Sequence, residues 1–110
     1  MGVPTFYTRL LKDNRLNSEL TKNMRLFISG SAPLMTETHI EFEKITGHQN
    51  LGRYGMTETN MNSSNPYNGI RKPGPVGLTL NDIDIIITDP GTGHILNQGE
   101  VGMIEIKGPN

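Results

Sequence analysis

The stretch Arg53-Tyr54-Gly55-Met56-Thr57-Glu58-Thr59 brings a guanidinium, an aromatic ring, a glycine, a hydroxyl and a carboxylate together within seven residues. Each type has a plain chemical use. A threonine hydroxyl and the backbone amides of a turn can hold phosphate oxygens, and a carboxylate beside them can hold Mg²⁺. Magnesium is commonly bound by one or two carboxylates with water and substrate phosphates, so Glu58 alone is chemically sufficient. Tyr54 offers a flat face for a base, and Gly55 permits close approach to the backbone. The same string also reads as a strand end, with Thr57 capping a helix and Glu58 in its first turn.

Two further groups carry chemical potential. Small residues in Ser29-Gly30-Ser31-Ala32-Pro33 leave room for a planar ring to lie against backbone, although that composition is equally that of an ordinary turn. Arg53, at the end of an apolar strand, needs its charge paired, and its planar fork matches a carboxylate in bidentate geometry. The partner is either a ligand or one of Glu58, Glu37, Glu41 and Glu43. Arg9, on a helix, reads by itself as a solvated surface residue. His39, His48 and His94 lack metal-ligand spacing and read as surface or capping residues. Asp82, Asp84 and Asp89 read as solvated or turn residues. Neither a Gly-x-Ser-x-Gly elbow nor a Gly-x-x-x-x-Gly-Lys phosphate loop occurs in the 110 residues.

The elements that must position these groups follow from periodicity and turn chemistry. Pro4 suits a first helical turn, and Phe6, Tyr7, Leu10 and Leu11 recur at helical spacing, predicting a helix over about 4–14. Asn17 or Ser18 caps a brief turn. Arg25–Ser29 is a short buried strand ending at Gly30. Thr36 is placed to cap a helix that turns Phe42 and Ile45 inward, and Gly47 to end it in a left-handed turn. Leu51–Tyr54 then forms a strand parallel to the first. From Thr59 to Pro75 the chain is rich in Asn, Ser, Gly and Pro and is expected to be a long loop. Asp82–Thr88, with Ile83, Ile85 and Ile87 on one face, and Val101–Lys107 pair across a turn at Asp89–Gly93. The expected architecture is α/β: an α/β unit over about 1–58, then a loop and β-rich part over 59–110.

Bulk properties narrow the class. With 34% hydrophobic residues and a formal charge of -1, composition is that of an ordinary globular chain. The near-neutral balance gives no support for nucleic-acid binding. No apolar run approaches the roughly 18 residues of a membrane-spanning helix. Without cysteine, disulfides, thiolate metal sites and cysteine nucleophiles are excluded, and a cytoplasmic setting is the expectation. The abrupt ends, at Gly2-Val3-Pro4 and Lys107-Gly108-Pro109, suggest part of a longer chain.

Three blocks in order resemble the adenylate-forming family of acyl-CoA synthetases, luciferases and peptide-synthetase adenylation domains. They are Ser29-Gly30-Ser31-Ala32-Pro33-Leu34, Tyr54-Gly55-Met56-Thr57-Glu58-Thr59, and Gly99-Glu100-Val101-Gly102-Met103-Ile104-Glu105-Ile106-Lys107-Gly108-Pro109. Gly74-Pro75-Val76-Gly77 is similar to a further family segment. Within the family, Val3–Leu10 and Arg53 with the following Asn60–Tyr67 resemble malonyl-CoA synthetases. The resemblance implies the internal part of a large N-terminal domain, with ATP, Mg²⁺ and coenzyme A as cofactor and co-substrates. It implies that Gly30, Ser31, Ala32, Tyr54 and Gly55 line the nucleotide, that Thr57 binds a phosphate and that Glu58 ligates the metal. Arg53, with Arg9 as a second cation and Met56 beside them, is implied to hold malonate or methylmalonate. A short- or medium-chain fatty acid, or a binding role without catalysis, remains the alternative. The family's lysine-bearing phosphate loop, ribose-binding aspartate, hinge and small C-terminal domain are not in this sequence, and Leu80-Asn81-Asp82 departs from the usual Leu-Pro-Gly. The 110 residues alone are therefore expected neither to fold stably nor to turn over.

Overall fold

The structure, a computed structural model, describes residues 1–109. Helix α1 (Pro4–Leu11) starts on its proline, as that residue's fixed φ favours. It ends three residues short of the expected boundary. A short helix, α2 (Ser18–Thr21), is capped by Asn17, whose side-chain oxygen accepts from Leu20 N–H at 2.7 Å. Strand β1 is only Ile28–Ser29, within the expected 25–29, although Phe27 O still accepts from Leu51 N–H at 2.9 Å.

Helix α3 (Thr36–Thr46) returns the chain to strand β2 (Leu51–Met56), which pairs in parallel with β1 through Ile28–Leu51 and Ser29–Gly52. Gly47 closes α3 in the left-handed conformation at φ 76°, as expected. Thr36 does not cap it. The N-cap position falls on Met35, whose side chain makes no capping hydrogen bond, and Thr36 is already helical. Phe42 is completely buried, whereas Ile45 is only half-buried.

The expected long loop after Thr59 contains a strand. β3 (Asn60–Ser64) pairs antiparallel with β2, and β4 (Leu78–Thr79) pairs antiparallel with β3, giving one sheet of order β1-β2-β3-β4. Asn and Ser have low strand preference, but here backbone pairing with β2 holds them. The sheet therefore runs across position 58, and the change of architecture comes after β4. There β5 (Asp84–Thr88) and β6 (Met103–Lys107) form a separate antiparallel pair. Ile83 is buried and Ile85 and Ile87 half-buried, the expected inward face.

The main core lies between the helices and β1–β2. Phe42 meets Tyr7 and Phe27 edge-on, with ring centroids 5.2 and 4.9 Å apart. Such geometry places the positive ring edge on the negative face. Tyr7 donates its hydroxyl to Ile28 O at 2.6 Å, tying α1 to β1. Burial pushes this phenol up to about 12. The molecule is elongated, 52 × 25 × 24 Å with a radius of gyration of 16.1 Å. A compact chain of this length would have about 13 Å.

Candidate active site

Strand β2 delivers the central residues. Its ladder with β3 shifts register between Tyr54 and Gly55, a bulge that re-aims the strand where the motif begins. Gly55 is required there: a Cβ would lie 2.2 Å from Asn60 O and 2.4 Å from Met61 Cε. The hairpin turns over Thr57–Thr59, closed by Thr59 N–H donating to Met56 O at 3.3 Å and by Asn60 in the left-handed region at φ 54°. Asn62, wholly buried, donates from Nδ2 to Thr59 Oγ1 at 2.8 Å and fixes the turn from behind. No helix starts here, so Thr57 is not a helix cap. Thr57 and Glu58 stand exposed at the hairpin tip.

Arg53 lies one turn of chemistry away, at the root of the hairpin. Its side chain crosses Gly30, with Cγ 3.5 Å and Nε 3.6 Å from where a Cβ would stand. The Arg53 side chain therefore packs at ordinary contact distance over the residue that follows β1. Arg53, Gly30, Ser31, Gly55, Phe6 and Met61 surround a cleft of about 190 Å³. None of the four glutamates considered as its partner is paired with it. Among the described residues the ion pairs are Asp13–Arg15, at 2.7 Å, and Glu19–Lys22. Among the described residues, Arg53 Nη2 donates to the Met1 sulfur. A half-buried guanidinium without a carboxylate, facing a cleft, is a group waiting for an anion.

The remaining expected residues are placed less uniformly. Gly30 and Ser31 line the cleft, and Ser31 is held at φ 68°. Ala32 instead lines a small neighbouring cavity that Arg53 also reaches. Tyr54 is half-buried with its hydroxyl 3.7 Å from Met56 Sδ, and Met56 is exposed. Arg9 is exposed on α1 and borders a separate groove with Phe6, Leu10 and Asp13. The structure does not bring Arg9 into the Arg53 cleft: Phe6 lines both spaces.

Several residues important to the site escaped sequence reasoning. Asn65, nearly fully buried, accepts from Gly52 N–H through Oδ1 at 2.9 Å and straps β2 to the segment after β3. Arg71 donates to Gln49 O at 2.8 Å, Tyr67 O at 2.7 Å and Pro66 O at 3.2 Å, clamping the 66–71 loop. Both sit in polar sequence that looks solvated; only the density of Asn in the segment hinted at backbone mimicry. His39 is not at the surface. It is 4% exposed, and burial lowers its pKa, with Glu43 opposing and Arg71 adding to the effect. His48 packs edge-on against Phe27 and its Nε2 lies 3.0 Å from Thr21 O. Asp89 is the turn residue expected, accepting from Gly91 and Thr92 N–H at 2.8 Å, contacts that lower its pKa.

A metal at the hairpin tip is compatible with this geometry. Glu58 is exposed and forms no ion pair among the described residues, and Thr57 precedes it in the chain, also exposed. No group of three or more His, Cys, Asp or Glu side chains able to hold a metal ion occurs among the described residues. That donor set suits an ion held mainly by water and phosphate rather than by protein.

The described residues thus place a strand-end cleft holding Arg53, the small-residue loop after β1 and the Thr57–Glu58 hairpin tip along one sheet. Comparison with known proteins identifies the family. The family model for AMP-binding enzymes matches residues 1–110, and the chain belongs to this family. It is 37% identical over 99% of its length to a malonate–CoA ligase of Arabidopsis thaliana, of which it covers 19%. Among solved structures, ATP-bound MatB from Rhodopseudomonas palustris superposes with a TM-score of 0.95 at 63% identity, covering all of this chain and 22% of that one. A malonyl-CoA ligase product complex with methylmalonyl-CoA and AMP bound gives a TM-score of 0.80 at 36% identity, over 99% of this chain and 24% of that one. The chain spans about a fifth of the length of the curated relatives it matches.

Proposed function

We propose that this chain forms one wall of the active site of an ATP-dependent malonate– or methylmalonate–CoA ligase, a cytoplasmic enzyme. The observation that carries the reading is Arg53: a half-buried guanidinium beside a cleft of about 190 Å³, with no carboxylate of the described chain paired to it. A dicarboxylate supplies one carboxylate to pair with Arg53 and a second to react. In the first step the free carboxylate oxygen attacks the α-phosphorus of ATP, the bond to the β-phosphate breaks, and pyrophosphate leaves. In the second the thiol of coenzyme A attacks the acyl carbon and AMP departs with the bonding electrons.

Residues of this chain position and neutralise. The Gly30–Ala32 loop and the Tyr54 ring form the surface for the adenine. Thr57 offers its hydroxyl to a phosphate oxygen. Glu58 would hold Mg²⁺, whose charge offsets that of the phosphates when bound. Arg53 fixes the distal carboxylate, and a charge-assisted pair of this kind contributes about 1.5–3 kcal/mol. Arg9 serves as a second cation only if its flexible side chain reaches past Phe6.

A second reading rests on the apolar side of the same cleft, where Val3, Phe6 and Met61 face Arg53. Those walls suit a short alkyl chain, and a short- or medium-chain fatty acid would then be the substrate. ATP–pyrophosphate exchange by a full-length enzyme carrying residues 1–110 decides between them. Exchange with malonate or methylmalonate at least tenfold faster than with butyrate or hexanoate is the expected result. Equal or faster exchange with the monocarboxylates overturns the dicarboxylate assignment, and ATP binding without any exchange indicates a non-catalytic binding module.

A further inference from the structure

A second, smaller cavity lies on the other side of Arg53, where β1, α3, β2 and the 72–76 segment meet. Its volume is about 20 Å³. One water molecule requires at least about 10–15 Å³ by the same measure, together with two to four polar partners. Ser29 and His39 both line it. They are 2% and 4% exposed, and Ser29 Oγ and His39 Nε2 have no hydrogen-bond partner among the described residues. Two such orphans beside one cavity are unusual, because a buried polar atom left unpaired is costly. Asn65 also lines the cavity, and its Oδ1, already accepting from Gly52 N–H, keeps a second lone pair.

We propose that this cavity binds one ordered water bridging Ser29 Oγ and His39 Nε2, and that His39 acts through it as a positioning residue for the nucleotide loop. Ser29 is the last residue of β1, and the loop it anchors includes Ser31 at φ 68°, a conformation that must be held in place. His39 belongs to α3, whose rigid turn gives the water a fixed point. The bridge thus links α3 to the residues assigned to the adenine, and Ala32 and Pro33 also line the cavity. The charged groups nearest the imidazole are Glu43 on α3 and Arg71 of the clamp; Arg53 on β2 and Lys72 line the cavity itself. The burial of His39 keeps its ring neutral at neutral pH, so Nε2 is available as one donor or one acceptor.

The water itself follows from geometry, whereas its effect on nucleotide rests on the function proposed above. The test therefore reads both, without requiring turnover. A crystal structure of a full-length enzyme carrying residues 1–110 should show a water within hydrogen-bonding distance of Ser29 Oγ and His39 Nε2. Titration with ATP should give a Kd raised about fivefold in His39→Phe and in Ser29→Ala, the scale of one lost water-mediated bond. The malonate Kd should stay within about twofold, and His39→Gln, which keeps a polar tip, should restore most of the ATP affinity. Ser29→Ala removes one oxygen and keeps the fold, so it carries the test if His39→Phe does not express. Absence of the water overturns the proposal, as does an ATP Kd unchanged in Ser29→Ala. Equal weakening of ATP and malonate, or a His39→Gln variant no better than His39→Phe, reduces His39 to a packing residue and overturns the positioning role. Loss of malonate binding in wild type would refute the substrate reading and leave the water and the ATP result standing.

Discussion

Replacing Gly55 by alanine tests whether the bulged root of the hairpin sets the position of Thr57 and Glu58. The added methyl would stand 2.2 Å from Asn60 O and 2.4 Å from Met61 Cε. Met61 has a flexible side chain and can swing into the cleft. Asn60 O is backbone, and an ordinary carbon–oxygen contact is about 3.3 Å or more. One strand must therefore retreat by about 1 Å. Asn60 is already in the left-handed region, at φ 54°, and has little freedom to absorb the move. Overpacking of this kind costs about 1–3 kcal/mol, and a 1 Å misplacement of reacting groups costs about a hundredfold in rate. Gly47→Ala is the control. Space there is open, but φ is 76°, so it should lose about 1 kcal/mol through backbone strain alone. In a full-length enzyme carrying this segment, urea denaturation and malonate-dependent pyrophosphate release are measured for both variants. Gly55→Ala should lose stability and about a hundredfold in kcat, whereas Gly47→Ala loses stability only. Wild-type kcat in a folded Gly55→Ala enzyme would refute the claim that this contact positions the tip.

Other outcomes follow from single contacts. Arg71→Ala removes donors to three carbonyls, Gln49 O, Pro66 O and Tyr67 O. It should cost about 2–3 kcal/mol in denaturation and expose the 66–71 loop to protease. Tyr7→Phe should cost only about 1 kcal/mol, because Ile28 O keeps its bond from Gly2 N–H at 2.9 Å. A larger loss would show that Tyr7 does more than satisfy that carbonyl. The lowered pKa of His39 makes stability depend on pH. Below its ordinary value of 6.5 the unfolded chain takes up a proton that the folded chain resists. The contribution of neutral His39 is complete above that value and is lost as pH falls through the folded one. His39→Gln should flatten this slope below about pH 6.5; an unchanged slope would show that another group is responsible.

Much of the fold was legible because local chemistry and tertiary context agree. Gly47 supplies a residue without a side chain where α3 needs a left-handed end, Asn17 supplies a capping oxygen, and Ile83, Ile85 and Ile87 alternate onto the more buried face at β5. β3 was hidden because Asn60-Met61-Asn62-Ser63-Ser64 has loop composition, and its pairing with β2 is a non-local effect. The inward face of α3 carries Thr38, His39, Phe42 and Thr46, so its one aromatic gave little sign that a histidine was buried beside it. The motifs singled out Arg53, Gly30 and the Thr57–Glu58 tip, and the structure sets Arg53 beside Gly30 at the root of the hairpin that carries the tip. Spacing could not show that Arg9 points along a different groove, since that depends on where Phe6 sits between them. Asn62 and Asn65 act by substituting for backbone partners, a role that residue type permits but sequence position does not reveal.

Selection of a second carboxylate by Arg53 is measured directly by the ratio of kcat/KM for malonate over butyrate in wild type and Arg53→Ala. Both enzymes are assayed full-length by pyrophosphate release, at one ionic strength. Loss of a charge-assisted pair of about 1.5–3 kcal/mol lowers that ratio by about tenfold to a hundredfold. The fall should come from malonate alone, with butyrate equal or improved as the cleft becomes wholly apolar. A ratio unchanged in Arg53→Ala, or equal losses for both acids, would show that Arg53 does not select the second carboxylate.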